Sequence, residues 1–212
     1  MRFVMSESKF LDYLHQIMLT AADGHGDIAL LCALVLPDIL GQYFVATKKI
    51  SAKNNRNGAV YVECLRRCID RDKKRYGLSR LHTLFHKSAK SQKASASIAK
   101  ELYKLRCNLA HGGNISIPTH PDYSYLHNPM RISLCQFLGN GSVHMSDNSE
   151  NVWIDINKLI FVLCDIFSFE YSQSSDRAKR YLDDFNRNVY HSVDEISFKA
   201  EDNYNKNRGD FS

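Results

Sequence analysis

The densest collection of chemically capable side chains lies in Ser97-Ile-Ala-Lys-Glu-Leu-Tyr-Lys-Leu-Arg-Cys-Asn-Leu-Ala-His111-Gly-Gly. Glu101, Lys104, Asn108 and His111 recur at intervals of three and four, which sets them along one face of a helix. His111 falls in the last turn, where the negative end of the helix dipole favours imidazolium. Such a histidine both gives and takes a proton near neutral pH, the requirement for general acid or base work. Arg106 supplies a permanent cation five residues earlier, about 140° round the helix and roughly 7.5 Å along it. For both to reach one ligand, the arginine's length or a distortion at the glycine end must bring them together.

The same residues have a purely structural use. His111 and Asn108 can tie down the helix end, and Arg106 can pair with a carboxylate such as Glu101. Spacing leaves both uses open. Lys104 and Glu101 read as a surface ion pair. Elsewhere, Cys64-x3-Cys68 followed by His82-x3-His86 approaches the spacing of a Cys2His2 zinc site. Both cysteines belong to a predicted helix rather than a metal knuckle, and buried free cysteine is common in helical cores, so no metal ligand is assigned. A glycine-rich phosphate loop, a Ser-His-Asp set and paired catalytic carboxylates are all missing from the sequence, which argues against a nucleotide-triphosphate enzyme. No cofactor is expected.

The elements that must position these groups are mostly helical. Ile98, Leu102, Leu105 and Leu109 form an apolar stripe on the motif helix, expected over Ser97–His111 and closed by Gly112-Gly113. Before it, Phe10, Leu11, Leu14, Ile17, Met18 and Ala21 mark a first amphipathic helix, and Asp23-Gly24-His25-Gly26 marks a turn. A buried helix is predicted from Asp27 to about Ala46, kinked near Pro37. Ser51 to Gly58 reads as a polar loop. Val62, Leu65 and Ile69 support a third helix from Ala59 to about Tyr76, stopped by Gly77, and Leu81, Leu84 and Phe85 a short fourth one. Ser88 to Ser97 reads as a polar connection.

After the motif helix the pattern changes. Pro118, Pro121 and Pro129 precede two extended candidates, Arg131 to Phe137 and Ser142 to Met145, with a turn at Leu138-Gly139-Asn140-Gly141. A β-hairpin insertion over about 114–153 is expected. Trp153, Tyr123 and Tyr125 near it suit either base stacking or packing of a loop onto the body. Asp155 should cap a long apolar helix through Phe167, and a last helix is expected near Asp176 to Tyr190. One domain over residues 1–198 and a polar tail over 199–212 complete the expected organisation.

The 212 residues, 44% of them apolar, can close one proper core, which excludes disorder along most of the chain. Only 4 prolines and 10 glycines punctuate it, too few for many short strands. The first residues pass into charged sequence without an apolar stretch of signal length, so the 6 cysteines are not read as a secreted disulfide framework. The longest apolar run, Ile28 to Leu36, is cut by Pro37-Asp38, short of the roughly 18 residues of a membrane span. A cytoplasmic chain with reduced thiols and no membrane partner is expected. The net charge of +5 is uneven: residues 66 to 106 hold 13 Lys or Arg against 3 Asp or Glu. That concentration suits a polyanion such as RNA, with Lys104, Arg66, Arg67, Lys73 and Lys74 as candidate contacts, or else a solvated helical face.

Arg106-Cys107-Asn108-Leu109-Ala110-His111 resembles the R-x4-H motif of the HEPN ribonucleases, the helical superfamily named for higher eukaryotes and prokaryotes nucleotide-binding. Leu102-Tyr103-Lys104-Leu105 before it and Gly112-Gly113 after it look like that family's flanks. The close match covers about sixteen residues, with looser support from the Leu-Pro-Asp-Ile-Leu-Gly segment ending at Gly41 and from the helix after Asp155. Cys107 stands where the family often has a polar residue, and Gly113 where one toxin branch has a tyrosine that its antitoxin modifies.

The resemblance implies a mainly all-α fold, a HEPN-like helical bundle carrying the small hairpin. It implies metal-independent RNA cleavage by attack of a ribose 2′-hydroxyl on the neighbouring phosphorus. His111 would move the proton, Arg106 would stabilise charge on the phosphate oxygens, and Asn108 would supply the missing polar group beside the arginine. It further implies a homodimer with a composite site, a toxin or anti-phage role, and an antitoxin or regulatory protein as partner. The alternative is a non-catalytic HEPN-like module that binds RNA or another protein.

Overall fold

The computed structural model describes residues 8–47, 49, 57–87, 93–112, 131–135, 141–144 and 151–184. Most of them are helical. Helix α1 (Lys9–Ala22) starts at Ser8, whose hydroxyl accepts from the Leu11 amide, and buries Phe10, Leu14, Ile17 and Ala21. Gly24, at φ +90°, makes the turn into α2 (Gly26–Ala46). Pro37 lies inside α2, and the apolar pattern continues past Pro37-Asp38. By length and composition Gly26–Val45 is therefore apolar enough to cross a membrane, yet most of it is covered by other parts of the fold, with α1, α3, α5 and α6 all packed against it.

Helix α3 (Asn57–Tyr76) ends at Gly77, whose φ of +76° suits glycine, and Ser79 caps the short α4 (Arg80–Leu84). Helix α5 (Ala94–Gly112) begins three residues earlier than its sequence pattern suggests. Ala94 and Ser95 are buried, and Ser95 Oγ lies 3.2 Å from His82 Nε2 of α4, so a tertiary contact recruits residues that polarity alone assigns to a loop. The start of α3 at Asn57 likewise absorbs the end of the expected loop.

Among the described residues the insertion forms a sheet of three strands rather than the expected hairpin. Strand β1 (Arg131–Cys135) and β2 (Ser142–His144) do not pair with each other. Both pair with β3 (Asn151–Asp155), β1 in parallel and β2 antiparallel, giving the order β1-β3-β2. The overlooked strand is Asn-Val-Trp-Ile-Asp, rich in β-branched and aromatic residues, which satisfies both its edges and buries Ile154 against the core beside Leu134. A two-stranded hairpin would be marginal by itself.

Strand β3 runs directly into α6 (Ile156–Ser172), where the Asp155 carboxylate accepts from the Lys158 amide at 2.9 Å. Residues 176–184 form the described part of a last helix, α7. Its Asp183 carboxylate accepts from Ser8 Oγ, the Phe10 amide and the Tyr171 hydroxyl, so α7 helps cap α1. Buried apolar residues from Phe10 to Leu182 make one continuous core. Tyr123, Tyr125, the expected turn at 138–140, residues 185–190 of the expected last helix and the expected tail over 199–212 lie outside the described residues.

Candidate functional site

The apolar stripe of α5 does what its spacing demands: Ile98, Leu102 and Leu105 are fully buried, and Leu109 packs against the core. The polar ladder is less uniform. Lys104 and Asn108 are exposed, but Glu101 is 5% exposed, so the pair with Lys104, at 3.6 Å, is not a surface pair. Burial pushes the Glu101 carboxyl up, with Lys104 opposing. A glutamate one turn from an apolar stripe is carried inward because α5 packs on α2, α3 and α4.

Arg106 does not pair with Glu101. Its Nη2 lies 3.0 Å from Oδ2 of Asp38 on α2, joining the motif helix to the Leu-Pro-Asp-Ile-Leu-Gly segment. Both side chains keep a quarter to a third of their surface, 25% for Asp38 and 30% for Arg106. Burial raises the Asp38 carboxyl, and the guanidinium opposes that shift. Behind the pair stands Tyr61 of α3, fully buried, with no hydrogen-bond partner for its hydroxyl among the described residues. Burial, then the nearby Asp38 charge, pushes that phenol well above its ordinary value.

Two glycines permit this convergence of three helices. A Cβ on Gly41 would stand 3.0 Å from Val60 Cγ1, and one on Gly58 would stand 2.7 Å from the Tyr103 ring. Tyr103 in turn packs on Tyr61, with ring centroids 5.1 Å apart. Asp38 was the residue missed by sequence reasoning. A carboxylate inside the most apolar helix is costly without a partner, and that cost was the available signal.

Helix α5 stays helical through Gly112, so the backbone does not unwind between Arg106 and His111. Their Cα atoms are therefore separated by about 140° and roughly 7.5 Å of rise. The His111 side chain lies outside the described residues. Arg106 retains donors beyond the one facing Asp38, since a guanidinium carries five N–H groups, and its partial exposure leaves it able to meet an anion.

The candidate RNA contacts on α3 fall into two groups. Arg66 bridges Glu63 at 2.8 Å and Asp70 at 2.6 Å, and Arg67 meets Glu63 at 2.7 Å. Hydrogen bonding from Arg66, with further help from Arg67, holds the Glu63 carboxyl down at about 2. These two cations are thus largely offset on their own helix. Lys73 is half-buried, whereas Lys74 is exposed beside Arg71 and Arg75 at the C-terminal end of α3.

The cysteines and histidines of the zinc-like spacing go to separate surroundings. Cys64 and Cys68 are buried neighbours on α3, His82 meets Ser95, and His86 Nε2 lies 3.1 Å from Ser142 Oγ. Among the described residues no three metal-binding side chains stand together. All six cysteines are free thiols. Protein-family models, curated proteins and solved structures give no match to this chain.

Proposed function

We propose that the chain is a HEPN-type endoribonuclease that cleaves RNA without a metal, through attack of a 2′-hydroxyl on the adjacent phosphorus. The observation that carries this reading is the R-x4-H stretch on one unbroken helix, its arginine held at the surface of the bundle by Asp38 and its histidine in the final turn. Arg106 would meet the phosphate oxygens, His111 would move the proton, and Asn108 on the exposed face would orient the substrate. The wide angular separation of Arg106 and His111 on α5 favours a site shared between two copies, in which the arginine of one chain works beside the histidine of the other. The toxin or anti-phage role rests on the resemblance of the motif alone.

His111→Ala is expected to lower RNA cleavage by at least ~10²-fold while leaving the melting temperature nearly unchanged. EDTA should not reduce the native rate. Undiminished cleavage by the variant refutes the assignment.

A second reading is favoured by the Asp38–Arg106 ion pair, because an arginine already offset by a carboxylate also serves as a plain interhelical tie. The chain would then be a non-catalytic HEPN-like module that binds RNA or a protein. RNA incubated with the native protein would show no products on a gel, and any RNA binding would weaken steeply with salt.

A further inference from the structure

A second cationic feature lies away from the motif helix. Arg71 and Arg75 stand ten and fourteen residues beyond Tyr61 on α3, roughly 15–21 Å along the helix from the Arg106 cluster. There Lys49, Arg71, Lys74 and Arg75 surround a groove of about 460 Å³ whose apolar walls are Phe44 and Phe169.

The cations are held on rings. The Arg75 guanidinium stands 4.4 Å from the Phe169 centroid and 4.7 Å from that of Tyr76, while Lys49 Nζ lies 5.5 Å from Phe44 and Arg71 lies 6.0 Å from the same ring. Resting a guanidinium on an aromatic face fixes its plane, and its donors lie in that plane, where they suit phosphate oxygens. Lys49 is also placed from behind: its backbone carbonyl accepts from Arg67 Nη1 at 2.6 Å, and its amide donates to the Phe44 carbonyl at 2.8 Å. Arg67, spent as a charge, thus positions another charge.

The nearest carboxylates leave a clear excess of positive charge. Glu170, 3% exposed, takes the Arg71 guanidinium, and Asp165 lies 3.7 Å from Arg75 but only 2.7 Å from Arg80. Lys49 and Lys74 are exposed. Cations that follow a phosphate backbone, interleaved with aromatic and guanidinium planes on which bases stack, are the recognition chemistry of single-stranded RNA. A volume of this size accommodates about one nucleotide.

We infer that this groove between α3 and the C-terminal ends of α2 and α6 binds a nucleotide of single-stranded RNA, its phosphate on Lys49, Arg71, Lys74 and Arg75 and its base against the Phe169 side of the groove. The inference rests on RNA as the ligand class of the proposed function, but not on cleavage.

The test measures binding of a short 2′-O-methyl oligouridylate, which lacks the attacking hydroxyl and so reports affinity alone. Lys49→Glu/Lys74→Glu is compared with a charge-matched control, Lys9→Glu/Lys100→Glu, since all four lysines are exposed. The groove variant should bind at least tenfold more weakly than the control, with a salt dependence shallower by about 1.4 log units per log unit, as expected for two lost phosphate contacts. Phe169→Ala, at unchanged net charge, should also weaken binding. Equal losses in groove variant and control overturn the inference, as does loss of binding to phosphatidylserine vesicles with RNA affinity unchanged. His111→Ala on cleavable RNA tests the nuclease reading separately, so failure of one assignment is distinguishable from failure of the other.

Discussion

The two ends of α3 treat arginine in opposite ways. Near Tyr61, the neighbouring Arg106 meets one carboxylate in a part-buried setting, and the charges offset each other within a cluster of tyrosines. Near Tyr76, Arg71 and Arg75 sit beside two exposed lysines, and the facing carboxylates, Glu170 and an Asp165 shared with Arg80, are too few to neutralise them. The difference shows that positive charge counted along a sequence is not positive charge presented to a ligand. Arg66 and Arg67, in the middle of the helix, make the same point: both are tied to Glu63.

Removal of the Arg71 guanidinium should have the largest effect on stability, because it strands Glu170 in the core. Arg71→Ala is expected to cost about 2–3 kcal/mol near neutral pH, below the full penalty of a buried pair because the arginine itself is 46% exposed. Burial already raises the Glu170 carboxyl, against the pull of Arg71, and loss of the guanidinium raises it further. A group raised on folding stabilises the protein below its unfolded value and loses that contribution as pH rises through the folded one. The cost of Arg71→Ala should therefore shrink in urea melts at about pH 5. A pH-independent cost would contradict the buried-carboxylate account.

At the other end, Arg106→Ala should cost about 1–2 kcal/mol, since Asp38 keeps some contact with water. Asp38→Asn combined with Arg106→Ala should cost less than the sum of the single changes, and a double-mutant cycle by thermal melting measures that coupling. Strict additivity would dissolve the pair.

The smallest effect belongs to Glu63→Gln, about 0.5 kcal/mol near neutral pH for a pair on the helix surface. The Glu63 carboxyl falls from its ordinary 4.5 to about 2 on folding. Its contribution is present above the unfolded value and disappears as pH falls from 4.5 to about 2. Native protein and variant should converge in stability across that window. Release of Arg66 and Arg67 from Glu63 should also strengthen RNA binding slightly, narrowing the contrast between the middle and the end of α3.

Much of the helical framework was legible because helices announce themselves locally. Ser8 before Phe10 and Leu14, Asp155 before the run to Phe167, and Gly77 after Tyr76 are signals within one turn of the boundary they set. The sheet was only half legible. The extended segments Arg131 to Phe137 and Ser142 to Met145 are legible and contain β1 and β2, but their common partner Asn151–Asp155 is short and runs into a helix, and parallel pairing across such a distance leaves no local turn signature.

Sequence by itself determined that α5 carries an apolar stripe with Arg106 and His111 on different azimuths, since the 3.6-residue repeat fixes that separation wherever the helix lies. Tertiary structure alone decided that Asp38, not Glu101, receives Arg106, and that Glu101 goes inward. It alone brought Phe44, Lys49 and Phe169 to Arg71 and Arg75. The physical reason is that a charge's meaning depends on neighbours within a few ångströms, and in a helical bundle those neighbours come from elements far apart in the chain.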